Sequence, residues 1–210
     1  MFKKEKDGLE DDNYNTEPEE NEEPELTEEE KKAERAAYIK GEIIDWIKTI
    51  VGAALFAWFI TTFIIVNATV PTGSMKNTIM PGDRIVAFRL SYTFSDPERY
   101  DICVFKYPDD ESILYVKRII GMPGDTVTII DGKVYINDSK EPIPDEYIRE
   151  PMLGSWGPYN VPEGHYFMLG DNRNESKDSR LWQNTYVEKD KILGKAIFKY
   201  YPSIESLANK

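Results

Sequence analysis

Ser74 stands in Pro71-Thr72-Gly73-Ser74-Met75, just beyond the longest apolar stretch of the chain, and Lys117 lies in Ile113-Leu114-Tyr115-Val116-Lys117-Arg118-Ile119-Ile120. A serine hydroxyl is a weak nucleophile until a base takes its proton, and that base must itself be unprotonated. The chain holds a single histidine, His165, so a histidine-based triad would depend on that one residue. A lysine base is the alternative. With a reference pKa of about 10.4, lysine is neutral in roughly one molecule in 2,500 at pH 7, a penalty of about 4.6 kcal/mol, and desolvation removes much of it. On a strand, Lys117 shares a face with Ile113, Tyr115 and Ile119, and the run contains no acidic residue to hold its charge. Arg118 has equally apolar neighbours on the opposite face, so alternation alone does not say which cation is buried, although arginine does not act as a base. Singly, Lys117 reads as a snorkelling edge-strand lysine and Ser74 as a turn or cap serine. Together, beside an apolar span, they suggest a serine hydrolase working at a membrane surface.

A third cluster, Gly170-Asp171-Asn172-Arg173-Asn174-Glu175-Ser176-Lys177-Asp178-Ser179-Arg180, follows the apolar run Tyr166 to Leu169. By itself it reads as an exposed loop. Asp and Asn alternate in it, but the ligand order of a calcium loop with its closing glutamate is missing, so no metal is expected. Cys103 is the single cysteine, which excludes an intrachain disulfide and a cysteine metal cluster. Its setting, Asp101-Ile102-Cys103-Val104-Phe105, reads as a buried strand in which nothing would activate the thiol.

The elements that must position these residues differ sharply along the 210-residue chain. The net charge of -12 is a property of one end: residues 1–30 hold 14 acidic and 3 basic residues, leaving 24 against 23 in the remainder. Residues 1–30 therefore read as an acidic, disordered tail. No basic cluster argues for nucleic acid as a partner. From Thr49 to Asn67 there is no charged residue, and at about 1.5 Å per residue these make a helix of about 28 Å, enough to cross a bilayer core. A cleavable leader would have an apolar region of only about 7 to 15 residues close to the N-terminus, so a retained anchor is expected. Lys31, Lys32, Arg35, Lys40 and Lys48 precede the span and only Lys76 follows closely, which predicts a cytoplasmic tail and an extracytoplasmic domain. Thr27-Glu28-Glu29-Glu30 has capping-box spacing, so one helix is expected from there through the membrane, with Gly41 and Gly52 as its weak points.

After Pro81 the pattern changes to short β runs: Arg84 to Phe88, Ile102 to Phe105, Ile113 to Ile120, Thr126 to Ile130, Lys133 to Ile136, Tyr166 to Leu169 and Ile192 to Tyr200. Asp131-Gly132 predicts a tight hairpin. Pro81-Gly82-Asp83 and Pro123-Gly124-Asp125 are near-copies that a shared turn type explains. Glu141 to Gly164, rich in Pro and Gly, reads as a long surface excursion. The expected organisation is a tail at 1–30, a juxtamembrane helix at 31–48, a membrane helix at 49–67, a β-rich domain at 68–203 and a C-terminal tail at 204–210.

Thr72-Gly73-Ser74-Met75, Tyr115 through Asp125, and Gly170-Asp171-Asn172-Arg173 through Asp178-Ser179-Arg180, in this order after an apolar span, resemble the three signature segments of the type I signal peptidases, membrane-anchored Ser/Lys proteases. The resemblance runs from the apolar span to about Tyr200. It implies a mainly β fold, an antiparallel β-sheet catalytic domain preceded by a single N-terminal transmembrane helix. It implies Ser74 as nucleophile, Lys117 as general base, Ser176 as a hydrogen-bond partner of the lysine, and Asp178 with Arg180 as a supporting pair. The oxyanion hole would use the Ser74 backbone N–H and the Thr72 hydroxyl, and Met75 would line the pocket for the residue before the cut. The partners implied are signal peptides of secreted preproteins and the lipid bilayer, with no cofactor and a monomeric state. Small residues, typically alanine, are expected just before the cut and two positions earlier. The alternatives are a non-catalytic anchored β domain that binds a protein partner, and a self-cleaving Ser/Lys repressor-type protease, which the missing DNA-binding domain and the membrane span argue against.

Overall fold

The computed structural model describes residues 27–148 and 150–208. Most of the expected acidic tail lies outside the described residues. A long helix, α1 (Glu28–Phe59), opens on the expected capping box: the Glu30 carboxylate accepts from the Thr27 N–H at 2.8 Å, and the Glu30 N–H approaches the Thr27 hydroxyl at 3.4 Å. It passes through Gly41 and Gly52 without a break. None of its side chains is buried; Ile50, Leu55, Phe56 and Trp58 are all exposed. The helix is long and apolar enough to cross a membrane.

The helical segment ends earlier than the expected residue 67. A π-helical turn occupies Ile60–Ile64, closed by the Ile65 N–H on the Ile60 carbonyl, and the chain is extended from Ile65 onward. At this exit the Thr61 hydroxyl donates to the Ala57 and Trp58 carbonyls, a side-chain bond that competes with the regular ladder. The β-branched run Ile64-Ile65-Val66 then favours a strand. An apolar run of this kind cannot be divided between helix and strand by periodicity. Upstream, Ile43, Ile44, Trp46 and Ile47 lengthen the apolar surface, and the Asp45–Lys48 ion pair at 2.9 Å lies within it.

The following unit is built of antiparallel strands: β1 (Ile65–Thr69), β2 (Arg84–Phe88), β3 (Ile102–Tyr107), β4 (Asp110–Gly121), β5 (Thr126–Ile130), β6 (Lys133–Ile136), β7 (Trp156–Asn160), β8 (His165–Leu169), β9 (Val187–Glu188), β10 (Ile192–Tyr201) and β11 (Glu205–Ser206). The large sheet has the order β1-β2-β10-β3-β4-β8-β9, with β11 on β10, and β6-β5-β7 form a small second sheet. The mainly antiparallel β architecture is as expected. Asp131 and Gly132 both have positive φ, which makes the two-residue β5–β6 hairpin turn. The two Met-Pro-Gly-Asp turns share one design: Gly82 and Gly124 have positive φ, and the Asp83 and Asp125 carboxylates accept from the Met80 and Met122 N–H at 2.8 and 2.7 Å.

Two expectations need correction. The excursion from Glu141 to Gly164 contains β7, which pairs with β5 despite Gly157 and Pro158 because it lies at a sheet edge, where a missing N–H is tolerated. The segment 204–210 is not a free tail in its described part. β11 pairs with β10, and Leu207 is 2% exposed, packed in the same core as Val66, Ile85 and Val104. A short end with two large apolar residues, Ile204 and Leu207, of which only the second is buried, has no periodicity from which to predict that docking.

Strand β4 organises the rest. Ile119 packs with Phe105, Tyr166 and Met168 on one face, while Ile120 packs with Val127, Phe167 and Leu169 on the other. Lys117 and Arg118 therefore enter opposite faces of a strand that is buried on both sides.

Candidate active site

Ser74 sits in a 3-10 turn, Gly73–Met75, reached directly from β1, and is 7% exposed. Lys117, 3% exposed on β4, places Nζ 2.6 Å from Ser74 Oγ and 3.2 Å from the Val116 carbonyl oxygen. Burial pushes the Lys117 amine down to about 8, against the opposing pull of the Asp178 and Asp171 carboxylates. At that value about one molecule in ten carries the free base at pH 7. The two residues that sequence reasoning joined are therefore in hydrogen-bond contact, in a setting that desolvates the amine.

Both neighbouring cations are buried, which alternation alone left open. Arg118 is 0% exposed and makes a two-pronged pair with Asp171: Nε donates to Oδ1 at 2.8 Å and Nη2 to Oδ2 at 2.7 Å. The Asp171 carboxylate also accepts from the Thr78 hydroxyl at 2.5 Å. Thr78 lies shortly after Ser74 and Arg118 follows Lys117, so this carboxylate ties the serine segment to the lysine strand. Sequence reasoning names Arg118 as a candidate buried cation and Asp171 within the third cluster but does not join them, and it misses Thr78; the available signal was that an arginine buried among apolar residues requires a carboxylate partner.

The loop after β8 closes against the serine turn. The Asn172 N–H donates to the Ser74 carbonyl at 3.0 Å, and its side-chain amide to the Gly73 carbonyl at 2.9 Å. A Cβ on Gly170 would fall 2.4 Å from the Ser74 carbonyl oxygen and 2.2 Å from Ser176 Oγ, so this approach requires glycine. Asp178 and Arg180 form the expected pair, with Nε to Oδ1 and Nη2 to Oδ2 both at 2.8 Å, and Asp178 also accepts from the Gly170 N–H at 3.1 Å. Arg173 is held by Asp145 through bonds of 3.0 and 2.8 Å, and by the Tyr147 hydroxyl at 2.9 Å.

The remaining expected residues fall differently. Thr72 Oγ1 is 3.4 Å from Ser74 Oγ, within reach of the same reacting centre. Ser176 is buried beside Gly170, but its hydroxyl has no hydrogen-bond partner among the described residues; Lys117 instead contacts Ser74 and Val116. Met75 is fully buried with Val70 and Ile79, in the core behind the turn rather than along the groove. His165 has Nδ1 2.9 Å from the Glu163 carbonyl and borders a different cavity from Ser74 and Lys117. Cys103 is fully buried, and burial pushes its thiol up, which leaves it a poor nucleophile.

A groove of about 490 Å³ runs to the Ser74–Lys117 contact between Asn67 to Thr72 on one wall and Ile113 to Val116 on the other. β1 is an edge strand, and β8 pairs only with residues of β4 from Arg118 onward, so both walls present unpaired strand edges to the groove. Its lining is more apolar than polar, with Val104, Ile113, Leu114 and Val116 contributing.

Comparison with known proteins gives a consistent outcome. The family model described as "Signal peptidase, peptidase S26" matches residues 43–201. The probable signal peptidase I-2 of Synechocystis sp. is 38% identical over 160 residues, covering 74% of this chain and 72% of the relative. A signal peptidase I from Leptolyngbya laminosa is 36% identical over 168 residues, covering 76% and 80%. Among solved structures, a signal peptidase I from Enterococcus faecalis V583 aligns with 31% identity and a TM-score of 0.35, over 48% of this chain and 97% of that chain.

Proposed function

The chain belongs to the signal peptidase family, peptidase S26, and from that premise we propose that it removes signal peptides from exported preproteins with a Ser74–Lys117 dyad while anchored in a membrane by α1. The observation that carries this reading is the 2.6 Å contact between Lys117 Nζ and Ser74 Oγ at the end of a groove, with the amine pushed down to about 8 by burial. In the neutral form the lysine lone pair accepts the serine proton as Oγ attacks the carbonyl carbon before the cut. The resulting oxyanion is held by the Ser74 backbone N–H and the Thr72 hydroxyl. Lys117 then gives the proton to the leaving amine, and water, activated by the same base, releases the acyl group. Ser176, buried with its hydroxyl unpartnered among the described residues, supplies the group that orients the lysine as it turns between these roles. The Asp178–Arg180 pair holds the loop through the Gly170 N–H.

The substrate lies extended between the two free strand edges, where main-chain bonds provide affinity and alternate side chains face the same wall. Small residues directly before the cut and two positions earlier fit the shallow apolar lining. The acidic tail lies on the cytoplasmic side, by the Lys/Arg asymmetry around the span.

The test compares the full chain in detergent with Ser74→Ala, Lys117→Arg and His165→Ala on a preprotein substrate. The first two variants should lose processing by several orders of magnitude, because members of one catalytic unit fail separately as completely as together. His165→Ala should retain it. Normal turnover in Ser74→Ala would leave a non-catalytic binding domain, and collapse in folded His165→Ala would revive a histidine mechanism.

A further inference from the structure

Glu175 and Lys177 flank Ser176, and both line the groove at its Ser74–Lys117 end. Their charges are disposed unequally. Glu175 is engaged: its Oε2 lies 3.4 Å from Lys76 Nζ and accepts from the Asn172 amide at 3.0 Å. These partners hold its carboxyl below the usual range. The Lys177 ammonium forms no ion pair among the described residues; it lies over the Tyr107 ring, 5.6 Å from the centroid, and Tyr107 stacks on Tyr115 of the groove wall at 4.4 Å. Of the neighbouring carboxylates, Asp178 is committed to Arg180 and Asp171 to Arg118, while Asp109, held below the usual carboxylate range against burial by the Tyr107 hydroxyl, the Asn184 and Gln183 N–H groups and the Lys177 charge, already has three hydrogen-bond donors. The rim beside the lysine base therefore keeps one exposed cation that makes no ion pair among the described residues and is only partly offset by Asp109.

The chemistry says which part of a substrate meets that cation, given the dyad proposed above, on which this inference rests. The base that accepts the serine proton must deliver it to the leaving amine, so the amine and the chain attached to it lie on the Lys117 side of Ser74 Oγ. Tyr115, whose ring centroid is 5.1 Å from Lys117 Nζ, marks that side, and through Tyr107 it leads to Lys177. Residues before the cut occupy the walls made by β1 and by Ile113 and Leu114 of β4. The first residues after the cut pass Lys177.

We propose that Lys177 is a specificity-determining residue that favours preproteins with an acidic residue in the first two positions of the mature chain and disfavours basic ones there. The ammonium is exposed, so the preference is modest, about two- to fivefold in kcat/KM between neutral and acidic substrates, as for exposed ion pairs. It acts through Coulomb attraction at a rim, and salt weakens it.

The experiment uses the full chain in detergent and three preproteins that differ only in the first two mature residues: Asp-Asp, Ser-Ser and Lys-Lys. For the wild type, kcat/KM should rank Asp-Asp above Ser-Ser above Lys-Lys, with the ratios shrinking toward one at about 1 M salt, where the Debye length is about 3 Å. Lys177→Gln should flatten the ranking, and Lys177→Glu should reverse it. The same ranking in wild type and Lys177→Gln, or wild-type ratios that ignore salt, overturns the proposal. The wild-type salt series and the Gln variant decide the matter if Lys177→Glu fails to fold. Failure of the wild type to cut even the Ser-Ser preprotein would instead defeat the Ser/Lys reading on which the preference depends.

Discussion

Lys117 is buried in a place that disfavours its charged form, and the same burial that suits it to act as a base acts against the fold. Its ordinary value is 10.5 and its value in the folded chain is about 8. Below pH 8 both folded and unfolded chains hold the proton, and the folded state bears the whole desolvation penalty. Between about 8 and 10.5 the unfolded chain binds more protons, so this contribution to stability rises with pH, and above 10.5 the penalty is gone. Lys117→Met, which keeps the volume and removes the charge, should therefore stabilise the domain at pH 7 by about 1 to 3 kcal/mol, with the gain fading toward pH 10.5. Denaturant titrations of both proteins in one detergent at the two pH values check this; a variant less stable than wild type at pH 7 would mean that the ammonium is well compensated. In the wild type, kcat/KM should climb with pH through about 8, and a flat profile from pH 6 to 9 would contradict a lysine base.

At the scale of elements, β4 delivers Lys117 to one face and Arg118 to the other, and Asp171 joins Arg118 to Thr78 beyond the serine turn. The carboxylate and guanidinium are both fully buried. Asp171→Ala removes the carboxylate that faces a buried cation, which should destabilise the domain by about 3 to 5 kcal/mol in denaturant melts. It also unties the serine segment from the lysine strand, so turnover should fall even where the protein remains folded. A variant with wild-type stability and turnover would show that the serine turn is held by the Asn172 bonds alone. The expected strands match the observed ones best where buried and exposed positions alternate, as in β5 and β6, or where a short apolar run follows a Pro-Gly-Asp turn, as in β2. They match worst at β1, where an apolar run had been counted as helix, and at β7, where Gly and Pro conceal an edge strand.

For the whole molecule, the Lys/Arg excess before the span sets the expected orientation. Protease added outside intact spheroplasts should digest the β-sheet unit, and an antibody to the acidic tail should still detect a protected N-terminal fragment. Loss of the tail with the β-sheet unit intact would place Ser74 on the wrong side for exported substrates.

The amino-acid sequence alone determined that an uncharged stretch of membrane length precedes a β-rich domain, and it pointed to Ser74, Lys117 and the Gly170 to Arg180 segment as the candidates for its chemistry. All but the last rest on local properties: charge density, period-two alternation, turn chemistry at Asp131-Gly132, and residue types that can act as nucleophile or base; the Gly170 to Arg180 segment, by itself an exposed loop, was marked only by the family resemblance. Tertiary structure alone decided that Lys117 reaches Ser74, 43 positions away, and that Arg118 is buried as deeply as Lys117 because Asp171 meets it. It also decided that Met75 backs the turn instead of lining the groove, that Ser176 lacks a hydrogen-bond partner among the described residues, and that Leu207 completes the core. Each of these depends on which strands become neighbours in the large sheet, and pairing between distant segments leaves no periodic trace in either segment by itself.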